Sequence, residues 1–268
     1  MRRTVFFCCI AVVTGTIVRS SPVDSAILAA MNLREAGNYQ WTSTVEDDGR
    51  FYVIEGKTRK DGYTLVNMPM VGSIQRKIGG SGADMQRAVF KGDMDFVVET
   101  PDGWKTQAEL AAVAVAPRRG SHAGARRRPA SAGGGGAIGP GHPAFRYSNL
   151  QLNLSHPHDE LGIIVGSYSE IRPDAAGACG TLSEQGAKLL LVHPGQNEIT
   201  PLRASGTFKL WLKDGVLVRY EVQLAGTISV GVGSNRWEIS LRQTTTTEVK
   251  AVGTTPFEVP EEAKRKLD

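Results

Sequence analysis

The densest grouping of residues able to do chemistry is the run His156-Pro157-His158-Asp159-Glu160. Alternate histidines on an extended segment share one face, and zinc or copper would accept such a pair together with a carboxylate. The same run also reads as a helix start, because acids such as Asp159 and Glu160 favour the positive end of the helix dipole. No second His or Cys cluster stands elsewhere in the chain to complete a metal shell, so neither a metal nor another cofactor is expected. The signatures of covalent catalysis are equally thin. No Gly-x-Ser-x-Gly occurs, and Gly120-Ser-His-Ala-Gly124 only resembles one in composition. Gly139-Pro-Gly141 lacks the preceding strand that a dinucleotide loop requires, and Pro143 interrupts the residues after it. Cys179, near Gly177 and Gly180, reads as a small buried side chain rather than a nucleophile. Asp47 and Asp48 fall in a turn. No enzyme class gains support, and no catalytic residue is assigned.

What remains must be read from the elements. At the N-terminus, Arg2 and Arg3 precede the apolar stretch Val5 to Val13, and Val18-Arg19-Ser20 offers small or tolerated residues before a cut. This is the order of an export signal over residues 1–20, with cleavage expected after Ser20 or Ser21. Cys8 and Cys9 lie inside the apolar stretch behind Phe6 and Phe7, which is the wrong place for lipid attachment. Removal of the leader leaves Cys179 alone, so an exported domain would hold together by burial and hydrogen bonding without a disulfide. Three of the 31 basic residues also leave with it, and the 28 that remain face 27 acidic ones. No later stretch approaches the roughly 18 consecutive apolar residues of a membrane span.

Val23 to Asn38 has the spacing of a helix, with Val23, Ile27, Ala30 and Met31 recurring and Gly37 ending it. The period then changes to two. Tyr39, Trp41 and Val45 alternate with polar residues, followed by Phe51 to Gly56, Tyr63 to Met68, Ala88 to Lys91, Met94 to Glu99 and Trp104. Asp61-Gly62, Gly92-Asp93 and Asp102-Gly103 punctuate these runs, which are the signals of an antiparallel meander. Farther on, Asp159 to Ile171 reads as a short helix, and Thr181 with Glu184 forms a capping box opening a helix through Leu191. The clearest strands come last. Phe208, Leu210 and Leu212, then Val216, Val218, Tyr220, Val222 and Leu224, then Trp237, Ile239 and Leu241 each alternate with charged or polar neighbours, although Trp211 sits on the polar side. One apolar face per strand is what a sheet covered on a single side requires. Pro260 to Leu267 reads as a terminal helix.

Between these halves, residues 116–144 hold a four-glycine run, several prolines and no acid. That composition predicts a disordered insertion. Its arginines, Arg118, Arg119, Arg126, Arg127 and Arg128, could meet anionic lipid headgroups at a membrane surface. Export makes nucleic acid a poor partner. Asn153-Leu-Ser155 is a glycosylation sequon that matters only in a eukaryote.

The segment WLKDGVLVRYEV, together with WEISLRQTTTTEV and TPFEVPEEAKRKL, resembles the end of the LolA/LppX-type lipoprotein-carrier superfamily over residues 210–267. The first half agrees in the order of its elements. The resemblance implies an α+β fold: one strongly curved antiparallel sheet, an open half-barrel, with helices over its concave face and acyl chains bound between the two. Residues 21–268 would then form a single half-barrel domain carrying the insertion. Under that reading Phe208, Leu210, Leu212, Val218, Tyr220, Val222, Trp237, Ile239 and Leu241 are the apolar face that contributes to a ligand cavity. No arginine matches a gating position of the family, so no functional residue is carried over. Three functions are compatible with this: a non-enzymatic carrier of lipid or lipoprotein acyl chains in the periplasm or outside the cell; an envelope protein-binding or sensing module of the same fold without cargo; and, remotely, a secreted metal-dependent enzyme centred on His156 and His158. The sequence leaves the oligomeric state open.

Overall fold

A computed structural model describes residues 21–36, 38–47, 49–69, 85–92, 95–115, 156–192, 199–232 and 235–268. The expected leader (1–20), the arginine-rich insertion (116–144), the sequon and the Asp93–Met94 half of one turn lie outside the described residues.

Eleven strands form one antiparallel sheet: β1 (Asn38–Asp47), β2 (Arg50–Arg59), β3 (Tyr63–Pro69), β4 (Met85–Lys91), β5 (Asp95–Thr100), β6 (Gly103–Thr106), β7 (Tyr168–Asp174), β8 (Gly177–Leu182), β9 (Ile199–Lys213), β10 (Val216–Val232) and β11 (Asn235–Lys250). Their spatial order is β6-β5-β4-β3-β2-β1-β11-β10-β9-β8-β7. Each half of the chain is thus a simple meander, and the two meanders join where the first strand pairs with the last. Among the described residues the sheet is open and not closed into a barrel, with β6 and β7 as its two edges. The α+β class and curved half-barrel architecture expected from the sequence are what the chain adopts.

Helices α1 (Pro22–Glu35), α2 (Gln107–Val115), α3 (Pro157–Ser167), α4 (Glu184–Leu191) and α5 (Glu261–Leu267) complete the described residues. Helix α1 starts at Ser21, whose hydroxyl accepts from the Asp24 amide at 3.1 Å and so satisfies one orphan donor. Its buried stripe is Ala26, Ala29, Ala30 and Leu33, a narrow seam of small residues that lets the helix lie close to the sheet. The sequence placed Met31 on that stripe, but Met31 and Leu28 face out, at 56% and 59% exposure. The main core lies between the sheet's inner face and α1, α3 and α4.

The fold departs from the sequence expectations in its outer-face cover and in the bounds of its helices as well. Cover is not confined to one face: Tyr63, Val89, Val97 and Trp104 form a second cluster with Val259 and Ala263, where α5 lies on the other side of β3–β6. This is why β3 shows burial at nearly every position instead of every second one. The C-terminus is tied down there, with Tyr63 and Lys91 each 2.5 Å from the Asp268 carboxylate and Lys266 2.6 Å from Glu109. Second, the helix expected over Asp159 to Ile171 runs Pro157–Ser167, and its last residues belong instead to the edge strand β7. The first helix likewise stops at Glu35, and Asn38 opens β1.

Candidate functional site

The candidate site is the inner face of the sheet beneath α1, α3 and α4. Antiparallel register places directly opposed residues on the same face, so the face is laid out as cross-strand rows. One row runs Ala178, Leu210, Tyr220, Thr247, Ser43 and Ile54 from β8 to β2. The next runs Gly180, Phe208, Val222, Thr245, Val45 and Tyr52. A third, on the other side of the first, runs Val249, Trp41, Gly56, Val66, Ala88 and Val98.

The structure brings Phe208, Leu210, Tyr220 and Val222 together as buried members of this face, with Leu212 half-buried beside them. Val218 departs from the expectation. The register slips between Leu217 and Arg219, so Val218 is the extra residue of a β-bulge; Leu217, opposite Leu212, takes the inward position and is buried. Val216, outside the expected alternation for the same reason, is exposed. On β11, Leu241 opposes Gly226 and Ile239 opposes Ile228, which keeps both on the inner face, yet Ile239 is 37% exposed and Leu241 half-exposed. The side chain of Trp237 lies outside the described residues.

Into this apolar face α3 inserts a polar seam that the sequence pattern did not disclose as a unit. His156, the N-cap residue, makes no side-chain cap bond; its ring meets Phe90 edge-on at 6.0 Å. His158 stacks parallel to His156 at 5.6 Å and 7°. Its Nδ1 lies 2.5 Å from the Tyr39 hydroxyl on β1, and its Nε2 3.5 Å from Asp159. The Tyr220 hydroxyl on β10 donates to the Glu160 carboxylate. Around them Trp41 donates its indole N–H to Thr58 at 3.1 Å, Thr64 donates to Thr58 at 3.2 Å, and Ser43 and Thr247 share a hydrogen bond at 2.7 Å. These hydroxyls let threonine and serine occupy core rows without leaving polar groups unpaired.

Burial governs the electrostatics of the seam. It pushes the Glu160 carboxyl up to about 7, against the opposing help of the Tyr220 hydrogen bond and with a further push from Asp159. The Tyr39 and Tyr220 hydroxyls are raised too, burial again first, so both stay protonated at any physiological pH. Tyr52, at the end of its row, is pushed up to about 12 by burial.

The metal reading of His156 and His158 does not assemble. Parallel stacking sets the two imidazoles side by side instead of aiming them at one ion, and both His158 nitrogens already face Tyr39 and Asp159. Among the described residues no group of three His, Cys, Asp or Glu side chains could hold a metal. Cys179 sits half-buried on the opposite face, accepting from the Arg172 guanidinium at 3.5 Å, in a depression lined also by Glu170, Lys209 and Glu221.

No family model matches the chain, and no curated protein matches it. Solved structures with an overall likeness include the lipoprotein LppX of Mycobacterium tuberculosis, at 11% identity and a TM-score of 0.39, over 88% of this chain and all of that one. A LolA superfamily protein of Nitrosomonas europaea is similar at 8% identity and a TM-score of 0.32, over 93% of this chain and 98% of that one.

Proposed function

We propose that the protein is a non-enzymatic carrier or binding protein for the acyl chains of a lipid or lipoprotein, acting after export in the periplasm or outside the cell. The observation that carries this reading is the uneven cover of the inner face. Beneath the helices that face is packed with buried side chains such as Leu210 and Tyr220, while farther along it Ile239 and Leu241 stay partly uncovered across from Ile228 and Gly226. Apolar surface at the margin of a helix-covered sheet gives an acyl chain somewhere to bury itself, at about 0.8 kcal/mol for each methylene removed from water. The five arginines of residues 116–144 support the same reading by adding attraction to anionic headgroups.

The second reading, an envelope protein-binding or sensing module without cargo, is favoured by the complete burial of the row from Ala178 to Ile54. The two divide on lipid. Native mass spectrometry of protein purified from its own host's envelope, with solvent extraction, is expected to show acyl-bearing species in the wild type and to lose them in an Ile239→Asp, Leu241→Asp variant. A folded protein that carries no lipid through purification sinks the carrier reading and leaves the binding module.

A further inference from the structure

Helix α3 is held in two ways. Leu161 and Ile164 are fully buried in the main core, where the helix packs against α1 and α4. Its N-terminal turn touches three different strands: the His156 ring meets Phe90 on β4 edge-on, and hydrogen bonds join His158 with Tyr39 on β1 and Glu160 with Tyr220 on β10. The Glu160 contact joins a carboxyl to a buried hydroxyl, so its strength changes when that carboxyl gains or loses its proton. Its carboxyl is half-buried, meets the hydroxyl of the fully buried Tyr220 and has Asp159 as a like charge beside it, so the ionised form is poorly compensated there and the neutral acid is not.

We infer that α3 is a pH-operated strap: it stays tied across β1, β4 and β10 while the Glu160 carboxyl is neutral, and ionisation of that carboxyl favours lifting of the helix off the sheet. The surroundings of Glu160 support this. From β10 it faces Tyr220, from β1 Tyr39 is close enough to interact with the same pair, and from its own helix it has His158 and Asp159. Asp159 adds a like charge. Neither neighbouring helix supplies a compensating cation among the described residues. The buried side of α1 is Ala26, Ala29, Ala30 and Leu33, with Asp24, Arg34 and Glu35 all exposed. Glu184 and Lys188 of α4 are spent on each other at 2.8 Å. Burial holds the Glu160 carboxyl at about 7 in the tied state, against 4.5 once it is free in water, so raising the pH through that window shifts the balance towards the lifted helix. The device requires no ligand and stands or falls apart from the carrier reading.

Hydrogen exchange of the full chain, read by mass spectrometry on peptides covering residues 156–167 and corrected for intrinsic rates, tests it directly. Between pH 5.5 and 8.5 the opening equilibrium of α3 is expected to rise roughly tenfold to thirtyfold, with β9–β10 peptides unchanged. Glu160→Gln is expected to abolish the rise, and Tyr220→Phe to steepen it by removing the hydroxyl that helps the ionised form. Exchange that is flat with pH, that rises equally in Glu160→Gln, or that is fastest at low pH overturns the inference, the last by assigning the response to His158. Should Glu160→Gln fail to fold, the carbon-13 titration of the Glu160 carboxyl in the wild type decides: a midpoint near 7 supports the strap, and one in the usual glutamate range overturns it.

Discussion

A methyl group placed on Gly56 would stand 2.1 Å from the Trp41 indole, which lies over that glycine in the third cross-strand row. Trp41 is itself fixed by its hydrogen bond to Thr58, so it cannot step aside without abandoning a buried partner. Gly56→Ala is expected to cost about 1–3 kcal/mol of stability, the scale of overpacking, and to alter the near-ultraviolet circular dichroism of the tryptophan. Urea titration measures the first effect. Glu160 yields the other expectation at this scale. Its folded-state value is raised from 4.5 to about 7, so the native state keeps a proton that the unfolded chain has lost. Stability must therefore fall as pH climbs through that window and level off above it. Between pH 5.5 and 8 the wild type should lose about 2 kcal/mol more than Glu160→Gln, as read from paired urea midpoints.

Among the elements, α4 shows how residue types can be read correctly and placed wrongly. Thr181 and Glu184 have capping-box spacing, but Thr181 still belongs to β8, and the cap is Ser183, whose hydroxyl accepts from the Gly186 amide at 3.1 Å. Ser183→Ala should therefore cost about 1 kcal/mol while Thr181→Ala leaves the helix start intact, a difference visible in helix-specific hydrogen exchange. Strands whose two faces differ in polarity were legible in advance, as Tyr39 to Val45 and Phe208 to Leu212 show. Strands β7 and β8 were not. Tyr168–Asp174 is exposed at most positions and Gly177–Leu182 is rich in glycine and small residues, so neither carries a period of two, and only the pairing of β8 with β9 and of β7 with β8 makes them part of the sheet. The Val218 bulge was hidden for a related reason: Val216, Val218, Tyr220 and Val222 satisfy the alternation perfectly, and only the register against β9 discloses that one residue is extra. The polar seam was legible in part. The run from His156 to Glu160 was conspicuous, but its partners Tyr39 and Tyr220 lie 119 and 60 residues away from the residues they bind, and no local pattern links them.

The whole molecule is two meanders joined along one seam, where β1 pairs with β11 from Gln40↔Lys250 to Asp47↔Gln243. The curved sheet, its open edges and the helices on its inner face were all readable from alternation and family resemblance. The cover on the outer face was not, because α5 has too few residues to display a stripe. Joining the first strand to the last has a consequence for how the protein comes into being. The hairpins of each half can form as soon as they are made, but strand β1 lacks one neighbour, and α1 lacks β8, β9 and β10 beneath it, until almost the entire chain is present. Loop closure over about two hundred residues must precede the reward of that pairing, which makes contact order high and folding slow. Refolding monitored by tryptophan fluorescence is accordingly expected on the timescale of milliseconds to seconds, with a chain truncated before β11 unable to reach the native signal. A polypeptide built this way can hold two partly formed halves, but it can join them into one core only once β11 has been made.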